Sequence, residues 1–122
     1  MFYRKPQDKL THFIVIDEAH RASRLKLIPT MAQECRKFGI GLILASQKAA
    51  DFQVSIFSLF ANYLVLRSTD NDARALVRNV AGSDQERSLI DRIKQMEIYR
   101  GLLFSEGRKK PTYIKLNPID VK

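Results

Sequence analysis

The chain has 122 residues, of which 45% are hydrophobic and 28% charged, and its formal net charge is +8. This length fits one small domain, and this composition supports a hydrophobic core without covalent cross-links. A single cysteine, Cys35, excludes an internal disulfide framework and a cysteine-based zinc site. No apolar run approaches the roughly 18–20 residues of a membrane span, and the opening MFYRKPQDKL lacks the apolar stretch of a signal peptide. The sequence therefore predicts a cytoplasmic protein that is not transmembrane, with any membrane association made through partner proteins.

The excess of basic residues has two interpretations. The chain has 21 Lys and Arg against 13 Asp and Glu, a balance that suits a polyanionic partner such as nucleic acid or an anionic membrane surface. The basic residues are scattered, however, and only residues 108–110 form a run of three. A solvated basic surface explains the same numbers, so charge alone leaves the partner open.

The first half of the chain has the pattern of a strand, a helix and a second strand. Residues 1–11 are polar and interrupted by a proline, which predicts a lead-in loop or strand. Residues 12–17 (HFIVID) and 40–46 (IGLILAS) are apolar runs typical of strands buried on both faces. Between them, apolar residues recur every three or four positions from residue 25 to residue 38. This spacing predicts a helix from about residue 28, with Pro29 in its first turn and Gly39 as its stop. The short joins predict a right-handed unit with two parallel strands.

The second half predicts further helices and a terminal hairpin. Thr69 and Asp72 have the spacing of a helix capping box, and so do Ser83 and Glu86. The predicted elements are a short helix within 52–60, a third strand at 63–67, a helix that ends at Gly82, a helix bearing Leu89, Ile90, Ile93 and Met96, and a hairpin of strands 98–105 and 111–116 around the turn GRKKP. Together the elements predict an α/β fold with a mostly parallel central sheet.

Two acidic residues, Asp17 and Glu18, stand where the first apolar strand ends. Ligands of open α/β sheets bind beyond the carboxyl ends of the strands, where buried carboxylates need a cation or hydrogen-bond partners. Four apolar residues followed by Asp-Glu is the Walker B arrangement of ATPases with an extra catalytic glutamate. In it, one carboxylate holds Mg²⁺ and the next deprotonates the attacking water. The alternative is an acidic strand end leading into a helix N-terminus, where the helix dipole favours acids.

Two polar residues, Ser46 and Gln47, follow the second strand. If the two strands are parallel neighbours, this pair lies at the same sheet edge as Asp17. A neutral amide there can hydrogen-bond the attacking water or the γ-phosphate, which is the role of the sensor in RecA-like motors. The alternative is that these two residues simply begin the next loop.

Three segments, in this order and spacing, carry a resemblance to a known family: HFIVIDEAHRA, QECRKFGIGLILASQ and NYLVLRSTD. Over residues 12–116 the chain resembles the second half of the motor domain of the HerA/FtsK superfamily, within it the HerA-like and the conjugation or type IV secretion ATPases. The resemblance implies a RecA-like fold that uses ATP and Mg²⁺. It implies that Asp17 is the Mg²⁺-linked acid, through a water molecule, that Glu18 is the catalytic base and that Gln47 is the sensor. It divides the chain into a lead-in (1–11), a Walker B and sensor core (12–67), helices (68–97) and a hairpin (98–116).

Basic residues complete the implied site. Arg36, in the segment ECRKFG, matches the arginine finger that reaches the neighbouring subunit's nucleotide in a hexameric ring, and Lys37 could share this role. An arginine in the last turn of a helix can equally be a capping cation. Arg67 ends the third strand, which is expected to place it at the same sheet edge, and it is a second candidate for phosphate or subunit contact. Alternatively, it pairs with Asp17, Glu18 or Asp70.

Two further residues have simpler interpretations. His20 completes the string DEAH, but helicases named for that box follow it with a SAT-like motif, whereas this chain has ASQ. We therefore interpret His20 as a loop residue or one that supports the site from behind. Cys35 lies on the apolar helix face and is expected to be a small buried hydrophobe.

The phosphate-binding loop G-x-x-x-x-G-K-[ST] is absent from the sequence, whose five glycines stand at 39, 41, 82, 101 and 107. We therefore expect a fragment: the C-terminal half of a ring-forming ATPase that moves DNA, inactive by itself. Partner proteins of a DNA-processing, conjugation or secretion system are expected. The alternatives are part of a protein-secretion or conjugation ATPase, and a non-catalytic basic module that binds DNA or protein.

Overall fold

The computed structural model describes residues 9–22, 27–81, 86–106 and 110–118. Its elements, in chain order, are β1 (His12–Ile16), α1 (Leu27–Lys37), β2 (Ile40–Leu44), α2 (Val54–Phe57), β3 (Asn62–Val65), α3 (Asp70–Val80), α4 (Glu86–Lys94), β4 (Arg100–Ser105) and β5 (Thr112–Lys115). The chain forms two compact units, Met1–Leu59 and Phe60–Lys122. The division of the chain expected from the sequence stays a prediction.

In the first unit, β1 and β2 form a parallel pair joined by α1. Their register runs from His12 opposite Ile40 to Ile16 opposite Leu44. Cys35 of α1 is buried in a small core cluster with Phe38 and Ile40, against which Ile14 packs. The cysteine is therefore the buried hydrophobe that was expected, and desolvation, with a smaller contribution from Glu34, raises the pKa of its thiol.

The ends of α1 follow from two residues of special backbone geometry. Pro29 lies in the first turn, where no intrahelical N–H donor is needed. Gly39 follows the last turn with a φ of 71°, a left-handed conformation that glycine adopts without steric cost. The Gly39 carbonyl accepts a 2.7 Å hydrogen bond from the Thr11 backbone N–H. The predicted helix is thus confirmed, and its C-terminus lies beside the start of β1.

The first sheet has one apolar face that is largely exposed within this chain. Phe13, Val15 and Ile43 are 61%, 62% and 45% exposed, and Phe13 lies opposite Gly41. A Cβ atom at Gly41 would come within 2.6 Å of the Phe13 ring. The absent side chain at position 41 therefore lets Phe13 lie across β2.

In the second unit, β3, β4 and β5 form an antiparallel sheet in that order. One face of this sheet and the helices α3 and α4 enclose the larger core cluster, which consists of Val65, Ala73, Val77, Leu89, Ile90, Ile93, Met96, Leu102 and Phe104. Thr69 is the N-cap of α3, since its hydroxyl oxygen accepts from the Asp72 backbone N–H. This cap was predicted, and it is confirmed.

The second unit contains the terminal hairpin that the sequence predicted. The terminal hairpin is confirmed, because β4 and β5 pair antiparallel. The residues at positions 82 and 83, predicted to end α3 and to cap α4, and positions 107–109 of the hairpin turn lie outside the described residues.

The α/β class is confirmed, with one difference in the pairing of strands. The parallel pairing of β1 and β2 agrees with the prediction, whereas β3 pairs antiparallel with β4. None of the helices in the described ranges combines the length and apolar character that crossing a bilayer requires.

Candidate functional site

The carboxyl ends of β1 and β2 lie side by side, as the predicted parallel pairing requires. The Ala45 backbone N–H donates to the Ile16 carbonyl at 2.9 Å, and the Ala19 N–H donates to the Ala45 carbonyl at 3.0 Å. The segment after β1 (residues 17–22) and the segment after β2 (residues 45–48) therefore meet at one sheet edge. This arrangement brings the predicted residues Asp17, Glu18 and Gln47 to the same edge.

Glu18 has an unusual backbone conformation. Its φ is +50°, in the left-handed region that costs a non-glycine residue roughly 1–3 kcal/mol. The preceding side chain supports the turn, because Asp17 Oδ1 accepts a 2.9 Å hydrogen bond from the Glu18 backbone N–H. Strained residues of this kind concentrate at functional sites, since a folded scaffold must hold them in place. The strain falls on the residue that the sequence singled out as a base.

The Glu18 carboxylate has a basic partner, Arg21, that was not predicted from the sequence. Arg21 Nε lies 3.2 Å from Glu18 Oε2, with side chains 78% and 56% exposed. Exposed ion pairs contribute about 0–1 kcal/mol, so this contact holds the carboxylate only weakly. The spacing of three residues in a helical turn was a signal that could have identified the pair.

A side-chain hydrogen bond joins the two segments at this edge. His20 lies in the short 3₁₀ helix Ala19–Ala22, and its Nδ1 is 2.7 Å from Ser46 Oγ. Ser46 Oγ also accepts from the Lys48 backbone N–H at 3.0 Å. The structure thus gives His20 a hydrogen-bond partner in the segment after β2. Gln47 lies between Ser46 and Lys48 in the chain and is exposed.

The donor chemistry at this edge fits Mg²⁺ held chiefly by phosphates and water. The described residues contain no group of three or more His, Cys, Asp and Glu side chains that could enclose a metal ion. Mg²⁺ bound with a nucleotide needs only one or two protein carboxylates, because water and phosphate oxygens fill the remaining positions. The exposed carboxylate of Asp17 satisfies this requirement, directly or through a water molecule.

Arg36 and Lys37 lie at the other end of the strand pair. Both are exposed residues in the last turn of α1, which ends beside the start of β1. Lys37 Nζ lies 5.9 Å from the centroid of the Phe38 ring, within the range of a cation–π contact. The structure therefore does not bring these two basic residues to the Asp17 and Glu18 edge of their own unit.

Arg67 follows β3 in the antiparallel sheet of the second unit. Pairing within one sheet therefore does not set it beside Asp17, and its predicted place at that edge stays a prediction. The expected alternative partner Asp70 is paired with other cations: Arg74 Nε at 2.6 Å and Lys94 Nζ at 3.0 Å. Hydrogen bonds from these two side chains hold the pKa of Asp70 below its usual value.

This sheet edge lies within the part of the chain that matches a known protein family. The sequence model of the "type IV secretion-system coupling protein DNA-binding domain" matches residues 1–94, more than three quarters of the chain. The chain belongs to this family. It is a member of the HerA/FtsK-like P-loop ATPase superfamily, and the resemblance seen in the sequence is confirmed.

Two curated proteins resemble this coupling-protein family member. The DNA double-strand break repair helicase HerA of Sulfolobus acidocaldarius is 26% identical over 115 residues, which are 88% of this chain and 23% of HerA. A probable helicase of Methanocaldococcus jannaschii is 24% identical over 115 residues, 88% of this chain and 22% of the helicase. The chain thus spans less than a quarter of the length of these relatives.

Solved structures share the fold at low sequence identity. VirB4 of Thermoanaerobacter pseudethanolicus superposes with a TM-score of 0.72 at 18% identity, covering 92% of this chain and 32% of VirB4. The genome packaging NTPase B204 of Sulfolobus turreted icosahedral virus 2, in complex with ATP-γS, gives a TM-score of 0.69 at 18% identity, covering 87% of this chain and 52% of the NTPase. These neighbours establish a RecA-like ATPase fold for the chain.

Proposed function

We propose that this chain belongs to a ring-forming, Mg²⁺-dependent ATPase that translocates DNA, and that the sheet edge with Asp17, Glu18 and Gln47 supplies its residues for ATP hydrolysis. The observation that carries the proposal is the pair Asp17 and Glu18 directly after β1, beside Ser46 and Gln47 after the parallel strand β2. Membership of the coupling-protein family supports a motor of the conjugation or secretion type. The left-handed φ of Glu18 supports a functional reason for the sharp turn at this position.

Each residue at this edge has a proposed role. Asp17 holds the Mg²⁺ of Mg²⁺-ATP, which neutralises phosphate charge when bound. Glu18 accepts a proton from the attacking water, and its weak ion pair with Arg21 leaves the carboxylate able to turn toward that water. Gln47 orients the same water or senses the γ-phosphate through its amide. ATP as the nucleotide is supported by the packaging NTPase, whose structures contain ATP-γS and AMPPCP.

The basic residues at the opposite end serve a neighbouring subunit in this proposal. Arg36 would act as an arginine finger in trans, and Lys37 would assist it, since both lie remote from the Glu18 edge of their own unit. A hexameric ring brings the α1 end of one subunit to the nucleotide of the next. Arg67 is a further candidate for contact with phosphate or with the adjacent subunit.

In this proposal the phosphate-binding loop of the motor lies outside the 122 residues. No G-x-x-x-x-G-K-[ST] sequence occurs in the chain, so we propose that the chain alone does not turn over ATP and that a larger parent does. The parent is proposed to be cytoplasmic, where partner proteins of a DNA-processing or conjugation system meet it. The matched family is a coupling-protein DNA-binding domain, which together with the net charge of +8 favours DNA as the translocated polymer.

Two alternatives to a DNA translocase are part of a protein-secretion or conjugation ATPase, and a non-catalytic basic module that binds DNA or protein. The matched family is that of a type IV secretion-system coupling protein, which favours a protein-export motor as the rival. A basic module that binds DNA or protein without catalysis would need neither Glu18 nor Gln47.

The test of the proposed function uses Glu18→Gln in the full-length protein. This variant should bind ATP with unchanged affinity and lose turnover by about 100-fold or more, because the amide cannot accept the proton. Glu106→Gln, at an exposed glutamate after β4, is the matched control and should keep wild-type turnover. Unchanged turnover in Glu18→Gln would remove Glu18 from the role of base and favour the non-catalytic alternative.

A further inference from the structure

We propose that His20 is a positioning residue that fixes the Gln47 loop to the Walker B segment through Ser46. The inference rests on the proposed ATPase function and adds a residue to its site. Its basis is the 2.7 Å contact between His20 Nδ1 and Ser46 Oγ, which joins residues 26 positions apart in the chain. His20 lies two residues after the proposed base, and Ser46 immediately precedes the proposed sensor.

The Ser46 hydroxyl closes the loop that carries Gln47. Its oxygen accepts the Lys48 backbone N–H at 3.0 Å, so the residues on both sides of Gln47 are tied to one oxygen atom. The His20 contact fixes the rotamer of that hydroxyl. If the Ser46 side chain rotates away, the Lys48 N–H loses its partner and the backbone at Gln47 is free to change.

Both hydrogen bonds at the Ser46 hydroxyl can form together. A serine hydroxyl has one proton and two acceptor positions. It can accept from the Lys48 N–H while it donates to an unprotonated Nδ1, or it can accept from Lys48 and from a protonated Nδ1. The arrangement therefore holds with either tautomer of His20.

The contact is better placed to set geometry than to stabilise the fold. Ser46 is exposed and His20 is only half-buried, so water can replace a lost partner at little cost. The backbone hydrogen bond from Ala19 to Ala45 persists when the side chain of His20 is removed. Loss of the contact should therefore affect the position of Gln47 more than the free energy of unfolding.

Misplacement of the sensor should appear in kcat. An amide displaced from the attacking water costs transition-state stabilisation, and a shift of about 1 Å can cost 10- to 100-fold. The affinity for ATP should be unchanged, because ATP binding depends chiefly on the phosphate-binding loop, which is not part of this edge. His20→Leu is therefore expected to lower kcat about tenfold with KM changed less than about twofold.

The experiment is a double-mutant cycle in the full-length protein, read as steady-state ATP turnover. His20→Leu removes the ring nitrogens, and Ser46→Ala removes the hydroxyl. If the two residues act through their mutual contact, the double variant should be no slower than the slower single variant. His20→Asn should restore most of the lost kcat, because its amide can place a polar atom near the position of Nδ1. His12→Leu, at the opposite end of β1, is the control and should leave kcat unchanged.

Three results would overturn the inference: unchanged kcat in His20→Leu, effects of the two single variants that multiply in the double variant, or no recovery in His20→Asn. Thermal unfolding of each variant is measured alongside, and a kcat loss that follows only the melting temperature would also overturn it. Glu18→Gln in the same assay separates the two proposals. If Glu18→Gln turns over ATP normally, the proposed function fails; if it is inactive and the cycle is multiplicative, only the role of His20 fails.

Discussion

Arg36 and Glu18 lie at opposite ends of the same parallel strand pair. Arg36 is in the last turn of α1, which ends beside the start of β1, as the Thr11 to Gly39 hydrogen bond shows. Glu18 follows the other end of β1, a strand of five residues. At about 3.3 Å per residue, the strand alone separates the two ends by roughly 13 Å. This separation supports the proposal that the two residues serve one reaction from different subunits.

This separation predicts complementation between inactive subunits. Arg36→Ala in the full-length protein should lose turnover by on the order of 10³-fold, the usual effect of removing an arginine finger. Mixing Arg36→Ala with Glu18→Gln subunits should restore some activity, because an intact Arg36 then faces an intact Glu18 at some interfaces. The measurement is ATP turnover across a series of mixing ratios.

The control for complementation is Arg78→Ala, which removes an exposed arginine from the last turn of α3. It should retain turnover, since a capping cation contributes to stability alone. Absence of any recovery in the mixtures would leave Arg36 as a helix-capping residue.

Asp70 predicts a dependence of stability on pH in the second unit. Hydrogen bonds from Arg74 and Lys94 lower the pKa of Asp70 in the folded state, so this pair of contacts stabilises the fold above the unfolded pKa of about 3.9. The stabilisation is lost as the pH falls through the lower, folded pKa. Asp70→Asn should therefore unfold at lower denaturant concentration at pH 7, and the difference from wild type should shrink below about pH 4.

Asp91→Asn is the matched variant, because it removes one exposed negative charge from α4. Chemical denaturation at pH 7 and pH 3 should give a smaller effect at Asp91 than at Asp70. A difference for Asp70→Asn that is equal at both pH values would show that its contacts with Arg74 and Lys94 do not stabilise the charged carboxylate.

The proposed polymer predicts a salt dependence of binding. If Lys and Arg side chains neutralise DNA phosphates, the logarithm of the association constant should fall linearly with the logarithm of salt concentration, with a slope near −0.9 for each phosphate contact. Titration of duplex DNA at several salt concentrations, followed by fluorescence anisotropy, measures this slope. A flat response would contradict phosphate contacts and favour the protein-secretion alternative.

Local signals in the sequence determined the elements and much of the candidate edge. Pro29 and Gly39 set the ends of α1, and Thr69 set the start of α3, because helix termini depend on backbone groups within one turn. The alternation of side chains around a turn was enough for the terminal hairpin. The acids after β1 and the polar pair after β2 could be identified for the same reason, because residues adjacent in the sequence mark the end of a strand.

Only the tertiary structure decided which strands pair and which side chains meet. The apolar run at residues 63–67 identified a strand, but an apolar sequence does not specify which strand it pairs with. In the structure, β3 pairs antiparallel with β4. The contact between His20 and Ser46 and the left-handed φ of Glu18 depend on how the chain turns after β1 to bring Ala19 to Ala45. Such contacts join residues far apart in sequence, and no local pattern encodes them.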